Sequence, residues 1–518
     1  MEKYVADPMN PASKDLLTLL ENFTKKQESL TSDEKKEAHS LLADSFNRLN
    51  RAQKLYDIVR EKTDSAPQSL QEEYVLASKI SKELDEKYLS RIDVSNFDVA
   101  LEKAEGILNE IQADKSLTPL QKSIATTAVM VRLLPKTNLH QHLKGSVPKE
   151  VTLEIAAMKA YSPEDTAEIK KAYKDGELGY ADLDHFVTNY GIIGRPINNV
   201  KDYEEAILGI MRNAVNQGQI VVEIRCAVDS LKTPDGKNLS PKQGANAIIE
   251  AIEKAKSTLR EEGVNSPKTG FVFLGYRGIH DGWDGIAAAK LQVEVLVEMA
   301  QKNPNMKFGF DIAGPEDTGH GPKAFYESFS IIKEYNAKVD SGEIKAEKIG
   351  VTIHAGETPT FNNGRPGYLS VAEAIEMGAS RIGHGVQASL SAETMQKMKE
   401  AEVTVEICGV CNISSIPINM KGLAEHPIEK FINSSIPITI ATDNDAICGT
   451  NISKEYMNFF LTGHGSVMNW NSVKAVTRQG IKSVFISDAD KIEAFKMLEE
   501  RINKIQDLVS RILTDDKK

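Results

Sequence analysis

The 518-residue chain has no apolar stretch approaching the length of a membrane-spanning helix, so a helical membrane protein is not expected. Residues 1–17 lack a basic stretch leading into an apolar one. No classical export signal is therefore expected, and a reducing cytoplasm is the expected location. Cysteine is scarce: Cys226, Cys408, Cys411 and Cys448 are too few for a disulfide framework in a chain this long. There is no basic excess either. Lys and Arg number 63 against 74 Asp and Glu, a net charge of −11, which disfavours a nucleic-acid or membrane-surface partner. A small anionic ligand stays possible, because one local Lys can hold it. No Gly-x-Gly-x-x-Gly follows the first β-rich run, which removes the main signature of a doubly wound nucleotide-binding sheet. His-x-Glu is absent too. The Cys408-x-x-Cys411 pair therefore lacks the partner motif of a Cys-rich zinc site, and both cysteines are read as barrel packing.

What is present is ordinary globular material, 41% hydrophobic and 26% charged. Residues 1–130 are rich in Lys, Glu, Leu and Ser. Leu16, Leu17, Leu19, Leu20 and Phe23 recur at helical spacing, as do Leu41, Leu42, Phe46, Leu49 and Leu55. Thr31 with Glu34 and Ser69 with Glu72 form capping boxes. Thr118, Pro119 and Gln121 give an N-cap, a first-position proline and a third-position partner. Residues 1–130 are thus expected to hold four or five helices of undetermined role.

From residue 131 short β-rich runs alternate with helical stretches. The runs are residues 137–143, 220–228, 270–276, 307–313, 349–355, 380–386, 403–409 and 436–443. Most are continuously apolar, as parallel strands covered by helices require. Helical patterns at 242–262 and 287–302 lie between them, and 488–518 forms a last amphipathic helix. Eight β-then-α units predict a (β/α)8 barrel over residues 131–518.

Reactive residues gather where the runs end. Run 1 carries His140 and His142, run 5 His354 with Glu357 three residues on, run 6 His384 and run 8 Asp443. In such a barrel these ends share one mouth. His140 and His142, two apart on a strand, point to the same side. With His354 and Asp443 they supply three nitrogens and one carboxylate oxygen. That set suits one Zn2+ per chain with a position left for water. A divalent cation moves the pKa of water from about 15.7 towards 7 and yields hydroxide at neutral pH. Among the other histidines, His280 and His320 follow runs 3 and 4 and fall near the mouth. His426 precedes Pro427 at a helix start and is read as structural, and His39 as a solvated helix residue.

These residues sit in a recognisable pattern. LPKTNLHQHLKGS ending at Ser146, DIAGPE (311–316), VTIHAGE (351–357), RIGHG (381–385) and ATDND (441–445) resemble, in order, motifs of the adenosine deaminase family. The resemblance spans residues 131 to 490. It implies zinc on His140, His142, His354 and Asp443, and removal of the purine amino group. It implies that Glu357 protonates purine N1, making C6 a better electrophile. It implies that His384 orients the attacking hydroxide and steadies the charge that builds on oxygen. Gly314 matches the position whose backbone N–H meets purine N3, where glycine permits close approach. His142 adjoins the substrate.

The chain departs from the family twice. Lys144 stands where an acid is usual, in HLKGS, and exchanges a ribose-hydroxyl acceptor for a cation. Asn444 stands where many members carry an acid, and its amide can donate to purine N7 directly. The expected reaction is hydrolysis of adenosine and 2′-deoxyadenosine to inosine and ammonia. The alternatives are AMP or an N6-modified AMP, adenine, another adenine nucleoside, or a non-catalytic nucleoside-binding protein.

Overall fold

The computed structural model describes residue 83 and residues 86–515, except 118, 179, 181–182, 281–282, 363, 415–422 and 462–469. The helices and capping boxes expected before residue 83, together with His39, lie outside these. Thr118 and His464 do so as well.

Eight parallel strands lie side by side in chain order. They are β1 (Lys136–His142), β2 (Gln219–Cys226), β3 (Lys268–Tyr276), β4 (Phe308–Ala313), β5 (Gly350–Ala355), β6 (Arg381–His384), β7 (Thr404–Ile407) and β8 (Ile438–Ile440). Each coincides with an expected run, so the (β/α)8 barrel is the fold. Helices fall in the expected places, at Pro241–Glu261, Gly285–Lys302 and Asp488–Asp515. The first of these opens with Ser240 and Gln243 in a reciprocal capping box and Pro241 in the first turn. The later strands are shorter than their apolar runs. β6 stops at His384, whose φ is +65°. β8 stops at Ile440, and residues 441–443 continue without a regular ladder. Helix Pro119–Leu133 begins at the proline that its sequence marks as a start. Residues Tyr88 to Leu134 contribute to the same hydrophobic cluster as the barrel strands and outer helices. Among the described residues no helix is long and apolar enough to cross a membrane.

The barrel closes between β1 and the segment after β8 through Asp443 and its neighbour Thr442. Asp443 N–H donates to His140 O, and His142 N–H donates to Asp443 O, both at 2.8 Å. Below it, Asn138 Nδ2 donates to Thr442 Oγ1 at 2.8 Å and Asn138 Oδ1 accepts from Thr442 N–H at 3.2 Å. Closure and delivery of Asp443 to the histidines of β1 are therefore one event.

Alternation sends Val222 and Ile224 outward to the helices and turns Glu223 and Arg225 inward. The lower barrel is sealed by Phe485, from the segment after helix Trp470–Ser483. Its N–H donates to Glu223, and the Arg381 guanidinium lies 3.8 Å from its ring centroid. Gly309 and Gly350, on β4 and β5, make room for the ring: a Cβ on either would fall 2.4 or 2.2 Å from a ring carbon. Phe485→Ala should cost about 3 kcal/mol or more, the loss expected for an emptied aromatic site. Gly350→Val should also destabilise, by overpacking. Urea unfolding measures both, and a Phe485→Ala midpoint equal to that of wild type would show the plug to be incidental.

Candidate active site

The chemistry gathers at the C-terminal ends of the strands. His140 and His142 come from β1, His354 from β5 and Asp443 from the end of the β8 segment. His354 Nε2 lies 3.1 Å from both His140 Nε2 and His142 Nε2. Asp443 Oδ1 lies 3.3 Å from the first and 3.2 Å from the second. The four ligand atoms all fall within 4.8 Å of one another. Bonds of roughly 2.0–2.1 Å about a tetrahedral ion space the ligand atoms about 3.3 Å apart, so the observed spacing fits a small divalent cation. Asp443 Oδ1 is buried without a hydrogen-bond partner, as an atom reserved for a cation would be. Burial pushes the pKa of His142 down and that of His354 well below its usual value. This favours neutral imidazoles at His142 and His354, as metal binding needs, whereas at His140 burial is outweighed by the Asp443 and Glu406 carboxylates, which raise its pKa.

The other face of two of these rings, those of His140 and His354, is fixed. His140 Nδ1 lies 2.6 Å from Glu406 Oε2 of β7, and His354 Nδ1 lies 2.9 Å from Asp311 Oδ2 of β4. Arg225 of β2 joins the two acids, with contacts of 2.7 Å to Asp311 and 3.0 Å to Glu406. Arg381 of β6 pairs with Glu406 at 2.6 Å and with Glu223. All five of these charged side chains are fully buried. Such partners orient metal-ligating histidines and set their tautomers. None was legible as a site residue in the sequence, since one Glu or Arg in an apolar run carries no spacing signal.

Glu357 sits on the turn after β5. Glu316, the last residue of DIAGPE, accepts from Gly356 N–H and Glu357 N–H at 2.8 Å and from Thr358 N–H at 3.1 Å. This cradle holds the turn. Burial pushes the Glu357 carboxyl pKa well up, with Asp443 and Glu316 adding negative charge nearby. The group is thus favoured in its neutral, proton-carrying form. His384 Nε2 lies 3.7 Å from Glu357 Oε1, and burial lowers the His384 pKa to about 3. His384 and Asp443 both have left-handed backbones, φ +65° and +60°, a conformation that is costly outside glycine and concentrates at functional sites.

Gly314 adopts φ +109°, and a Cβ there would fall 2.5 Å from the Tyr276 ring. Asn444 packs its amide oxygen over Gly145, where a Cβ would fall 1.9 Å from it. Lys144 lies in the one-turn helix Leu143–Ser146 that follows β1. Its stem runs along Gly194, and it makes no ion pair or hydrogen bond among the described residues, while nearby Asp202 pairs with Lys159 at 2.6 Å. Burial lowers the Lys144 pKa. Of the histidines near the mouth by position, His320 packs on Phe325 and joins no ligand cluster. His280 lies in a small hairpin with Trp283. His426 Nδ1 accepts from Ile428 N–H at 3.2 Å and so holds a helix start.

Of the two cysteines expected to be barrel packing, Cys408 is so and Cys411 is not. Cys408 is packed in the core beside Val410 and Ala441. Cys411 instead forms a disulfide with Cys448, 37 residues away. The pairing partner lay in the loop after β8, and only folding brings it near. Beside this pair, Glu455 accepts from Val410 N–H at 3.2 Å and from the Thr450 hydroxyl at 2.8 Å.

A barrel mouth that gathers three imidazoles and a carboxylate at ligand distance, beside a carboxyl whose pKa burial raises, defines a metal-dependent hydrolase. The chain belongs to the adenosine deaminase family, whose model matches residues 135–503, and is a metal-dependent deaminase of an adenine compound. It is 26% identical over 377 residues to an adenosine deaminase of Enterococcus faecalis, covering 72% of this chain and 97% of that one. It is 26% identical over 364 residues to an adenine deaminase of Rhizobium rhizogenes, covering 70% and 97%. The solved N6-mAMP deaminase of Arabidopsis superposes with a TM-score of 0.56 at 18% identity, covering 71% and 99%, a likeness of fold.

Two measurements follow. Removing divalent cations with a chelator should lower Tm, because four electron-rich atoms then face one another unscreened, and one equivalent of Zn2+ should restore it; an unchanged Tm in demonstrably metal-free protein would refute the site. Burial raises the Glu455 pKa to about 8, above its unfolded value of about 4.3. The stability this contributes is present below the unfolded value and is lost as pH rises towards 8. Glu455→Gln should therefore gain on wild type as pH rises from about 5.5 to 8.5, read as the difference in Tm.

Proposed function

We propose that the chain hydrolyses adenosine and 2′-deoxyadenosine to the inosine compounds and ammonia with one zinc ion. The observation that carries this reading is the convergence of His140, His142, His354 and Asp443 next to the Glu357 carboxyl, whose pKa burial pushes well up. When bound, zinc would supply an activated water at neutral pH. The residues around it do the rest. Glu357 gives its proton to purine N1, withdrawing electrons from C6, as a carboxyl tuned upward in pKa can. His384 faces Glu357 across 3.7 Å and orients the oxygen that adds to C6. The Gly314 N–H and the Asn444 amide fix the purine through N3 and N7, and His142 lines the same pocket.

A second reading is favoured by Lys144. A partly buried ammonium two residues after His142, without an ion pair among the described residues, matches a 5′-phosphate better than a ribose hydroxyl. The fold relative that acts on N6-mAMP is compatible with it.

The test is loss of adenosine absorbance on adding zinc-replete protein. Glu357→Gln should retain zinc and lose about 10²–10⁴-fold in rate, the usual worth of a positioned proton donor. An unchanged rate would remove Glu357 from its role. Parallel kcat/KM values for adenosine and AMP separate the readings. If AMP is preferred, Lys144→Met should lower kcat/KM for AMP and leave adenosine nearly unaffected. If AMP is not turned over, the nucleotide reading fails.

A further inference from the structure

Asn412 lies in the short helix Gly409–Ser414 that follows β7. Its Nδ2 is 2.9 Å from His384 Nδ1, and both residues are 1% exposed. The helix is tied down on either side of this amide. Val410 N–H bonds to Glu455 at 3.2 Å, Cys411 is linked to Cys448, and Asn412 N–H bonds to Cys408 O at 2.9 Å. The amide is thus presented from a fixed frame to a ring that is itself fixed at the end of β6.

The contact restricts where the ring proton can be. An amide NH2 only donates, so Nδ1 must offer a lone pair to it. That excludes the imidazolium and leaves the single ring proton on Nε2. The surroundings of Nε2 agree. It has no hydrogen-bond partner among the described residues, and it faces Glu357 Oε1 at 3.7 Å. The Asp443 carboxylate also acts on the ring electrostatically. The Asp443 charge suits an N–H on Nε2 and opposes a bare nitrogen lone pair there, and a neutral Glu357 carboxyl keeps one oxygen that can accept from it. The reverse amide orientation, with Asn412 Oδ1 on Nδ1–H, would leave that lone pair in the field of the Asp443 carboxylate.

We propose that Asn412 is a positioning residue that holds His384 in its Nε2–H form, so that His384 acts on the attacking oxygen as a neutral hydrogen-bond donor and not as a base. The inference rests on the deaminase reading for what the oxygen attacks, but the ring form is measurable without turnover. A donor fixed in advance stabilises developing charge on oxygen without reorganising.

The experiment uses the full, zinc-loaded chain with 15N-labelled histidine. The His384 signals are assigned by their absence in His384→Gln. Long-range proton–nitrogen spectra should show a protonated Nε2 and a bare Nδ1. A protonated Nδ1, alone or with Nε2, overturns the proposal whatever the enzyme turns over. Asn412→Asp offers an acceptor of the same shape and should move the ring proton to Nδ1. With zinc content unchanged, kcat should then fall about 10²–10³-fold, the usual loss for one such donor, while KM moves only a few-fold. An Asn412→Asp enzyme with the proton moved and kcat intact overturns the donor role. If that variant does not fold, the wild-type spectrum decides the ring form. A wild type inert towards every adenine compound, yet showing the Nε2–H ring, would count against the deaminase reading alone.

Discussion

The pairing of Asp443 with β1 organises the whole mouth. Its backbone closes the barrel by bonding to His140 and His142, and its side chain points at the imidazoles of the same two residues. A ligand set drawn from strands 1, 5 and 8 needs the first and last strands side by side, and barrel closure is what makes them neighbours. The left-handed φ of Asp443 is the local cost of turning one residue to both tasks.

Beneath the ligands the barrel is filled with charge. Glu223, Arg225, Asp311, Arg381 and Glu406 form a connected network reaching from the Phe485 plug to the backs of His140 and His354. Buried ion pairs are costly when isolated and tolerated when every partner is satisfied. Here the network's product is orientation: His140 and His354 each have one ring nitrogen committed to a carboxylate, so the other is aimed at the common centre. Glu316 does the same for the turn that carries Glu357, and Asn412 for His384. His140, His354, His384 and the Glu357 turn are thus held from behind by groups that make no chemistry of their own.

Much of the mouth was legible beforehand. The period-two spacing of His140 and His142, the HAGE turn and the terminal Asp443 mark strand ends, and the structure gathers them within ligand distance. The supporting residues were not legible. Arg225 and Glu406 lie 181 positions apart, and nothing in IVVEIRC or TVEIC says that the two face each other. The cysteines show the same limit. The Cys-x-x-Cys spacing drew attention to Cys408 with Cys411, yet residues three apart at the start of a short helix need not meet, and the partner of Cys411 came from the next β/α unit.

The sequence by itself determined the number and order of the strands, because apolar runs broken by amphipathic helices have few other ways to bury themselves, and it determined which residue types stand at the strand ends. The tertiary structure alone decided which of those ends converge on one point, which buried acid backs which imidazole, which way the ring of His384 is held and that Lys144 meets no counter-ion among the described residues. Those properties depend on distances across the barrel, and they are set by closure, strand stagger and packing between segments that share no local pattern.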